Sequence, residues 1–228
     1  MKILITSGGT TEKIDQVRGI TNHSSGCLGK KIAEKFLAVN HQVTLVTTAS
    51  AIKPEKHANL SIIEITDVSN LIETLEPLVK SHHVLIHSMA VSDYTPIYIT
   101  DLTEVEETSD LSQLLTKTNK ERKISSQADY QVLFLKKTPK VISLVKQWNP
   151  SIQLIAFKLL VNVSKEELFQ VARSSLKKNQ ADYILANDLT MISADKHLAY
   201  LLDDTNAYMA ETKAEIADLI FEKVRKND

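Results

Sequence analysis

The sequence predicts an α/β protein whose mostly parallel sheet carries helices on both faces. Short β-branched apolar runs alternate with amphipathic helical segments along the 228 residues. Such alternation is typical of parallel strands joined by crossover helices. The chain has neither an internal repeat nor a Pro/Ser-rich linker, so residues 1–228 are expected to form one domain.

In the first part of the chain, residues 2–6 form a predicted strand that stops at Gly8-Gly9. Ser24 and Ser25 precede apolar residues at helical spacing over 26–40, and we expect these serines to cap that helix. Strands follow at 42–48, 60–66 and 84–91, with a helix over 69–80 that begins at Asp67 or Ser69.

In the second part, regularity falls between residues 95 and 129, and a strand is predicted over 130–137. Pro139 is expected at the start of the next helix, because proline is favoured in the first helical turn. Strands at 153–159 and 183–188 flank a helix that starts at Ser164. A hairpin over 197–211 and an amphipathic helix over 212–226 complete the prediction.

Ligands of such sheets bind beyond the carboxyl ends of the parallel strands. The segments predicted there are Ser7–Thr10, Ser88–Asp93, Phe157–Lys158 and Asn187-Asp188. These segments are therefore the first candidates for the chemistry of the protein.

Composition excludes several classes of protein. The net charge of −1 provides no field of one sign to attract nucleic acid or an acidic membrane. A single cysteine, Cys27, excludes a disulfide framework and a cysteine-based zinc site. The seven histidines show no metal-ligand spacing, and His87 is interpreted as an ordinary strand side chain. No stretch approaches the ~20 apolar residues of a membrane span. We expect a cytoplasmic protein with no metal site of its own.

Glycine use is the most informative compositional feature. All five glycines lie in one early segment, at Gly8, Gly9, Gly19, Gly26 and Gly29. Glycine is retained where φ is positive or where another group approaches the backbone closely. Tight turns and close chain contacts are one explanation. The favoured interpretation is a phosphate-bearing ligand at the N-terminus of the following helix, where free N–H groups and the helix dipole attract anions.

Common motifs of nucleotide enzymes are absent. The glycines fit neither Walker A nor the G-x-G-x-x-G fingerprint, and the second strand ends at Val46-Thr47-Thr48 without an acidic residue for an NAD ribose. No tyrosine has a lysine four residues later, and neither H-E-x-x-H nor G-x-S-x-G occurs. An NAD(P)-linked reductase on the same fold is therefore disfavoured.

Residues 8–34, GGTTEKIDQVRGITNHSSGCLGKKIAE, closely resemble the opening of the phosphopantothenate–cysteine ligase family. The resemblance continues, in order, at MAVSDYTP (89–96), TPKVI (138–142), AFKL (156–159) and LAND (185–188). It implies a Rossmann-like three-layer fold and an enzyme that joins 4′-phosphopantothenate to L-cysteine in coenzyme A biosynthesis. In this family a nucleoside triphosphate with Mg²⁺ activates the carboxylate as an acyl-nucleotidylate. CTP is favoured over ATP as the co-substrate.

The resemblance also implies roles for individual residues. Asn22 would be catalytic and contact phosphopantothenate, and Lys123 matches more loosely a catalytic lysine of the second half-reaction. The other substrate-binding positions are Met89, Ala90 and Asp93. The nucleotide-binding positions are Gly8, Ser24, Gly26, Gly29, Asp93, Pro139, Lys140, Val141, Ile142, Phe157, Lys178 and Asn187.

Several positions depart from the family pattern. Lys123 is followed by Ile124, Ser125 and Ser126, so later lysines of that motif are missing. Where the family has a second lysine, four residues before the position of Lys178, this chain has Ser174. Lys158-Leu159 also differs from the common bacterial pattern. These departures leave the choice between CTP and ATP open.

The resemblance implies partners as well. Residues 95–137 are expected to form a β flap that contacts a second subunit of a homodimer, with Val132 and Phe134 on one face. Bacterial relatives often carry a fused flavin decarboxylase domain before the ligase. This chain begins at the first ligase strand, so we expect no bound FMN and a separate phosphopantothenoylcysteine decarboxylase. A non-catalytic nucleotide-binding regulatory protein remains the other alternative, although the presence of Asn22 and Asp93 argues against it.

Overall fold

A central sheet of eight strands organises the chain in the computed structural model, which describes residues 1–119, 122–193 and 195–225. The strands are β1 (Lys2–Thr6), β2 (Thr11–Lys13), β3 (Gly19–Thr21), β4 (Gln42–Thr47), β5 (Leu60–Glu64), β6 (Val84–His87), β7 (Tyr94–Asp101), β8 (Gln131–Lys137), β9 (Gln153–Leu160), β10 (Tyr183–Ile192), β11 (His197–Leu202) and β12 (Ala207–Ala210). The α-helices are α1 (Cys27–Leu37), α2 (Val68–Ser81), α3 (Leu102–Glu107), α4 (Val141–Trp148), α5 (Lys165–Asn179) and α6 (Lys213–Arg225), with a 3-10 helix over Leu111–Thr116.

The strand order of the central sheet is β12-β11-β10-β9-β6-β1-β4-β5. Six neighbouring strands of this sheet run parallel: β5, β4, β1, β6, β9 and β10. Strands β11 and β12 continue the sheet with antiparallel pairing. The predicted mostly parallel sheet is therefore confirmed. Strands β2 and β3 form a separate hairpin. Strands β7 and β8 pair in a second two-stranded sheet, here called the flap.

Alternate residues of β1 enter two different cores, which explains its uninterrupted apolar sequence. Ile3 and Ile5 pack with residues of α1 and α6 on one face. Leu4 packs with residues of α2, α4 and α5 on the other. The three layers predicted for the fold are thus helices, sheet and helices.

Two helix starts follow the sequence prediction and one does not. Asp67 caps α2 by accepting from Asn70 N–H (2.9 Å), and Ser164 caps α5 by accepting from Glu167 N–H (3.1 Å). The prediction that Ser24 or Ser25 caps α1 is wrong. Gly26 occupies that position with φ +75°, a left-handed conformation that strains a serine, and glycine has no side chain that could cap the helix.

Three other regions differ from expectation. The strand predicted over 84–91 ends at His87, and residues 95–129 contain β7, α3 and the 3-10 helix. The strand β7 is hard to recognise because Pro96 lacks an N–H, and its register with β8 shifts between Pro96 and Tyr98. The hairpin β2–β3 was not expected either. Lys226, the last residue of the predicted final helix, lies outside the described residues.

Candidate active site

Two loops meet at the carboxyl edge of the sheet, one after β1 and one after β6. Ala90 N–H donates to Gly8 O (2.9 Å) and Thr10 N–H donates to Ala90 O (3.1 Å), so the loops continue the parallel pairing of their strands. The Thr10 hydroxyl accepts from Ser92 N–H (2.9 Å) and lies 2.9 Å from Ser92 Oγ. The backbone of Ala90 is therefore occupied in holding the loops together.

Asn22 lies directly beside these loops. Its N–H donates to Thr10 O (3.1 Å), while its half-buried side-chain amide makes no hydrogen bond within the described residues. Any Cβ at Gly9 would collide with the backbone oxygen of Asn22. The amide of Asn22 is thus held at the sheet edge by its backbone and stays available to a ligand.

Close contacts within the chain account for glycine at positions 8, 26 and 29, and a phosphate-bearing ligand at the start of α1 stays a prediction. A Cβ at Gly8 would lie 2.7 Å from Thr48 Oγ1, and one at Gly26 would lie 2.9 Å from Ala51 Cβ. A Cβ at Gly29 would meet the side chain of Ser7. These glycines therefore let the loop after β4 and the first turn of α1 pack against the end of β1.

The same packing leaves the first turn of α1 open to a ligand. Cys27 N–H donates to Ser25 Oγ (3.4 Å), and Ser24 is exposed. Because Gly26 has no capping side chain, the N–H groups that follow in the first turn lack the usual intrahelical and side-chain partners among the described residues. Free N–H groups at a helix N-terminus favour an anion.

A cavity of about 180 Å³ opens at the same edge, and six of the twelve predicted nucleotide residues line it. Its walls include residues from the loop after β6, the start of α4 and the end of β9. They are His87, Met89, Val91, Ser92, Asp93, Pro139, Lys140, Val141, Ile142 and Phe157. Its walls combine apolar side chains with the polar groups of His87, Ser92, Asp93 and Lys140, and such polar groups can orient a ligand.

The rim of the cavity carries an exposed ion pair between Asp93 and Lys140. The backbone around it is fixed from below, since Thr138 N–H donates to Asp93 O (3.0 Å) and Thr138 Oγ1 donates to Ser92 O (2.6 Å). The end of β8 and the loop after β6 therefore form one wall. An exposed carboxylate and an ammonium group at this rim can each exchange their partner for a ligand.

His87 lies in the floor of the cavity and is only 8% exposed. Its Nδ1 lies 2.7 Å from Thr6 Oγ1. Burial lowers the pKa of His87 to about 4, so the imidazole is neutral at neutral pH. The sequence interpretation as an ordinary strand side chain missed this residue, because periodicity does not show that a strand end opens into a cavity.

Six predicted nucleotide residues do not line the cavity: Gly8, Ser24, Gly26 and Gly29 lie between the end of β1 and the first turn of α1, and Asn187 and Lys178 lie elsewhere. Asn187 is buried, and its Nδ2 lies 3.1 Å from His197 Nε2, so its amide is used within the sheet. Lys178 is exposed in the last turn of α5. Since α5 runs from the carboxyl end of β9 back to the amino end of β10, Lys178 lies at the opposite edge of the sheet. Within the described residues, the structure does not bring Lys178 to the cavity, and its role in nucleotide binding stays a prediction.

Lys123 is exposed, and the backbone on either side of it is fixed to the loop between β2 and β3. Asp15 accepts from Ile124 N–H (3.2 Å) and from Arg18 Nε and Nη2 (3.0 and 2.7 Å). Arg18 Nη2 also donates to Ile124 O (3.0 Å), and Gln16 N–H donates to Arg122 O (3.0 Å).

The hydrogen bonds from Arg18, followed by that from Val17 N–H, hold the pKa of Asp15 well below its usual range. Asp15 therefore links the segment of Lys123 to the loop that leads into Asn22. The sequence motif contained Asp15 and Arg18, but their link to residue 124 is a tertiary contact that spacing does not reveal.

The described residues, 1–119, 122–193 and 195–225, contain neither a membrane-spanning helix nor a cluster of metal ligands. No helix among them is long and apolar enough to cross a membrane. No group of three or more His, Cys, Asp or Glu side chains in the described ranges could hold a metal ion.

Comparisons with known proteins agree on one family. Residues 1–227 match the family described as DNA/pantothenate metabolism flavoprotein C-terminal domain. The coenzyme A biosynthesis bifunctional protein CoaBC of Thermococcus kodakarensis is 31% identical over 229 residues, which are 99% of this chain and 51% of that protein. The chain spans about half the length of such curated relatives.

Solved structures show the same fold. The DNA/pantothenate metabolism flavoprotein from Streptococcus pneumoniae is 56% identical, with a TM-score of 0.96 and complete coverage of both chains. A Cab2 mutant in complex with phosphopantothenate-cysteine is 19% identical, with a TM-score of 0.75 over 99% of this chain and 85% of that chain. At that identity the second likeness concerns the fold alone.

Proposed function

The chain belongs to the DNA/pantothenate metabolism flavoprotein C-terminal domain family, and from this membership we propose that it is a phosphopantothenate–cysteine ligase of coenzyme A biosynthesis. The relative from Thermococcus kodakarensis carries a coenzyme A biosynthesis name. The proposed reaction joins 4′-phosphopantothenate to L-cysteine at the expense of a nucleoside triphosphate. A cytoplasmic location is part of the same proposal.

One observation carries the proposal: the free amide of Asn22, the open N-terminus of α1 and the cavity under Asp93 all lie at one edge of the sheet. A ligase of this kind needs a carbonyl-binding donor, a phosphate site and a nucleotide pocket within the reach of one substrate. Loops joined by backbone hydrogen bonds hold these three features together.

In the first step, a carboxylate oxygen of phosphopantothenate attacks the α-phosphorus of the nucleotide. The bond to pyrophosphate breaks, pyrophosphate leaves with the electron pair, and an acyl-nucleotidylate forms. Negative charge shifts onto the pyrophosphate oxygens, and N–H groups at the start of α1 stabilise it electrostatically. Mg²⁺ enters with the triphosphate as part of the substrate, neutralising its charge.

In the second step, the amine of cysteine attacks the activated carbonyl carbon. The new C–N bond displaces the nucleoside monophosphate, and the ammonium proton passes to solvent. Charge develops on the carbonyl oxygen, and the Asn22 amide donates a hydrogen bond to it without adding a titratable group. Lys123 is proposed to assist at this step, because its backbone segment is fixed to the loop that precedes Asn22.

The proposed nucleotide is CTP, with ATP as the alternative. Asp93, Lys140 and Phe157 are proposed to contact it, since they line the cavity. Met89 would contact the substrate from the same loop.

We also propose that the flap makes the chain a homodimer. A two-stranded sheet is marginal by itself, and its apolar side chains Tyr94 and Leu135 are 51% and 44% exposed. The face predicted from sequence, Val132 and Phe134, is half-buried, and Phe134 packs on Tyr98 with ring centroids 6.3 Å apart. A second copy of the chain would cover the remaining apolar surface. Light scattering should give the mass of a dimer, and the mass of a monomer at micromolar concentration would contradict this.

Pyrophosphate release tests the proposed activity. Purified protein is mixed with Mg²⁺, 4′-phosphopantothenate and L-cysteine, in parallel with CTP and with ATP. Release that requires phosphopantothenate supports the ligase, and the faster nucleotide identifies the co-substrate. A folded protein that releases none with either nucleotide favours the regulatory alternative, and a tight complex with NAD(P)H would favour the reductase.

A further inference from the structure

The floor of the cavity contains a polar group that the family resemblance does not assign. His87 is the last residue of β6 and points its ring toward the face that carries α4. Apolar residues such as Met89, Val91 and Val141 line the same cavity, together with the polar Ser92, Asp93 and Lys140. A buried histidine among apolar side chains is costly unless its nitrogens find partners.

One nitrogen of His87 has a partner and the other does not. Nδ1 lies 2.7 Å from the hydroxyl of Thr6, which is itself 0% exposed. Nε2 makes no hydrogen bond to any residue in the described part of the chain. The surrounding atoms do not seal it off completely, so a ligand atom can reach it. The hydroxyl therefore fixes the ring, and Nε2 remains accessible to the cavity.

The charge state of His87 selects the kind of ligand. A neutral imidazole offers one donor or one acceptor at Nε2 and no positive charge. Such a group is a poor partner for a phosphate and a good one for the ring nitrogens, carbonyl or amine of a heterocycle. Phe157 in the same wall offers an aromatic face on which a flat ring can stack.

The phosphates have a separate place close by. Ser88 follows His87, and a Cβ at Gly29 in the first turn of α1 would lie 3.3 Å from Ser88 Oγ. The residue after His87 thus contacts the helix end that favours anions. A nucleotide with its base in the cavity can extend its phosphates toward α1.

We propose that His87 determines which nucleobase the protein accepts, through a hydrogen bond between Nε2 and the polar edge of the base. The inference rests on the proposed nucleotide-dependent function and deepens it. Bases that present the matching donor or acceptor bind, and a base that presents the opposite group leaves a buried nitrogen unpaired. Sites built in this way discriminate strongly against the mismatched ligand.

Calorimetric titration of the whole protein with CTP, ATP, UTP and ITP tests this. UTP and ITP replace the exocyclic amine of cytosine and adenine by a carbonyl, so they invert the hydrogen bond. The wild-type protein should prefer one member of a pair. His87→Phe should weaken binding of the preferred nucleotide about tenfold, the effect of one lost hydrogen bond, and bring the pair close to equal affinity.

Two further variants keep the test decisive. His57→Phe is the matched control, because His57 is exposed in the loop before β5, and it should leave all four affinities unchanged. His87→Gln keeps a polar side chain, so it should change the preference even if His87→Phe fails to fold. Equal weakening of every nucleotide, an unchanged preference, or a wild-type protein without preference overturns the inference.

Binding and turnover separate this inference from the proposed function. A preference that disappears in the His87 variants of a protein without ligase activity would sustain the inference and refute the ligase. Ligase activity with a nucleotide preference that ignores His87 would do the reverse.

Discussion

The hydroxyl of Thr10 joins the two loops of the candidate active site, and its removal has a predictable cost. Thr10 is 0% exposed and Ser92 is 4% exposed. The hydroxyl accepts from Ser92 N–H and also lies within hydrogen-bond distance of Ser92 Oγ, both at 2.9 Å. Thr10→Val keeps the shape of the side chain and removes this oxygen.

The magnitude follows from what the substitution leaves behind. The N–H of Ser92 stays buried without a partner, and an unsatisfied buried group costs about 1–3 kcal/mol. The hydroxyl of Ser92 loses a partner too, but it can rotate toward another acceptor. We therefore expect Thr10→Val to lower the free energy of unfolding by about 2–3 kcal/mol.

Thr11 provides the matched control. Its hydroxyl also bonds to a threonine, Thr21 Oγ1 at 2.8 Å, but that pair is exposed to solvent. Water replaces the lost partner there, so Thr11→Val should change stability by no more than about 0.5 kcal/mol. Urea unfolding of the three proteins measures both differences. Equal, small changes in the two variants would refute the argument that the buried hydroxyl holds the loops together.

Three other predictions follow from the site. Asn22→Ala should slow the cysteine-dependent step about 10²–10³-fold with an unchanged urea midpoint, because the amide has no partner within the described chain; a large loss of stability would contradict this. Asp15→Asn should accelerate hydrogen exchange at the Ile124 amide, which donates to Asp15 Oδ2 (3.2 Å), whereas Ile99, whose N–H donates to Asn119, serves as the internal control. His87 should make stability pH-dependent: its pKa is about 4 when folded and about 6.5 when unfolded, so the unfolded chain takes up the proton first as pH falls. The free energy of unfolding therefore falls as the pH is lowered from about 6.5 to about 4, by about 3 kcal/mol in total. Parallel curves of unfolding free energy against pH for wild type and His87→Gln would contradict this prediction.

Elements with strong local signals were predicted from the sequence. The strand over residues 2–6 was placed correctly, and the caps of α2 and α5 were found because Asp67 and Ser164 precede periodic apolar segments. The cap of α1 was missed because two serines precede the helix, whereas the cap position is Gly26, which has a positive φ and lies where a Cβ would meet Ala51 and Ile52. The assignment of residues 1–228 to one domain stays a prediction.

The candidate site was predicted in part. Met89, Asp93, Phe157 and residues 139–142 line one cavity, as their position after parallel strands and in the family motifs implied. The roles of Thr10 and His87 depend on burial and on contacts between loops some 80 residues apart in the chain, and no local pattern carries that information. Lys178 lies at the opposite edge of the sheet because the length and direction of α5 decide which edge it reaches, and its predicted role stays a prediction.

The central claim is that the chain activates phosphopantothenate as an acyl-nucleotidylate before cysteine reacts. Mass spectrometry of a single turnover without cysteine tests it most directly, with the protein in excess over 4′-phosphopantothenate and Mg²⁺ with CTP or ATP. We expect the acyl-nucleotidylate, whose mass is that of phosphopantothenate plus the nucleoside monophosphate less one water. Added cysteine should then convert this species to 4′-phosphopantothenoylcysteine. Pyrophosphate without this species, or product formation without any pyrophosphate, would contradict it.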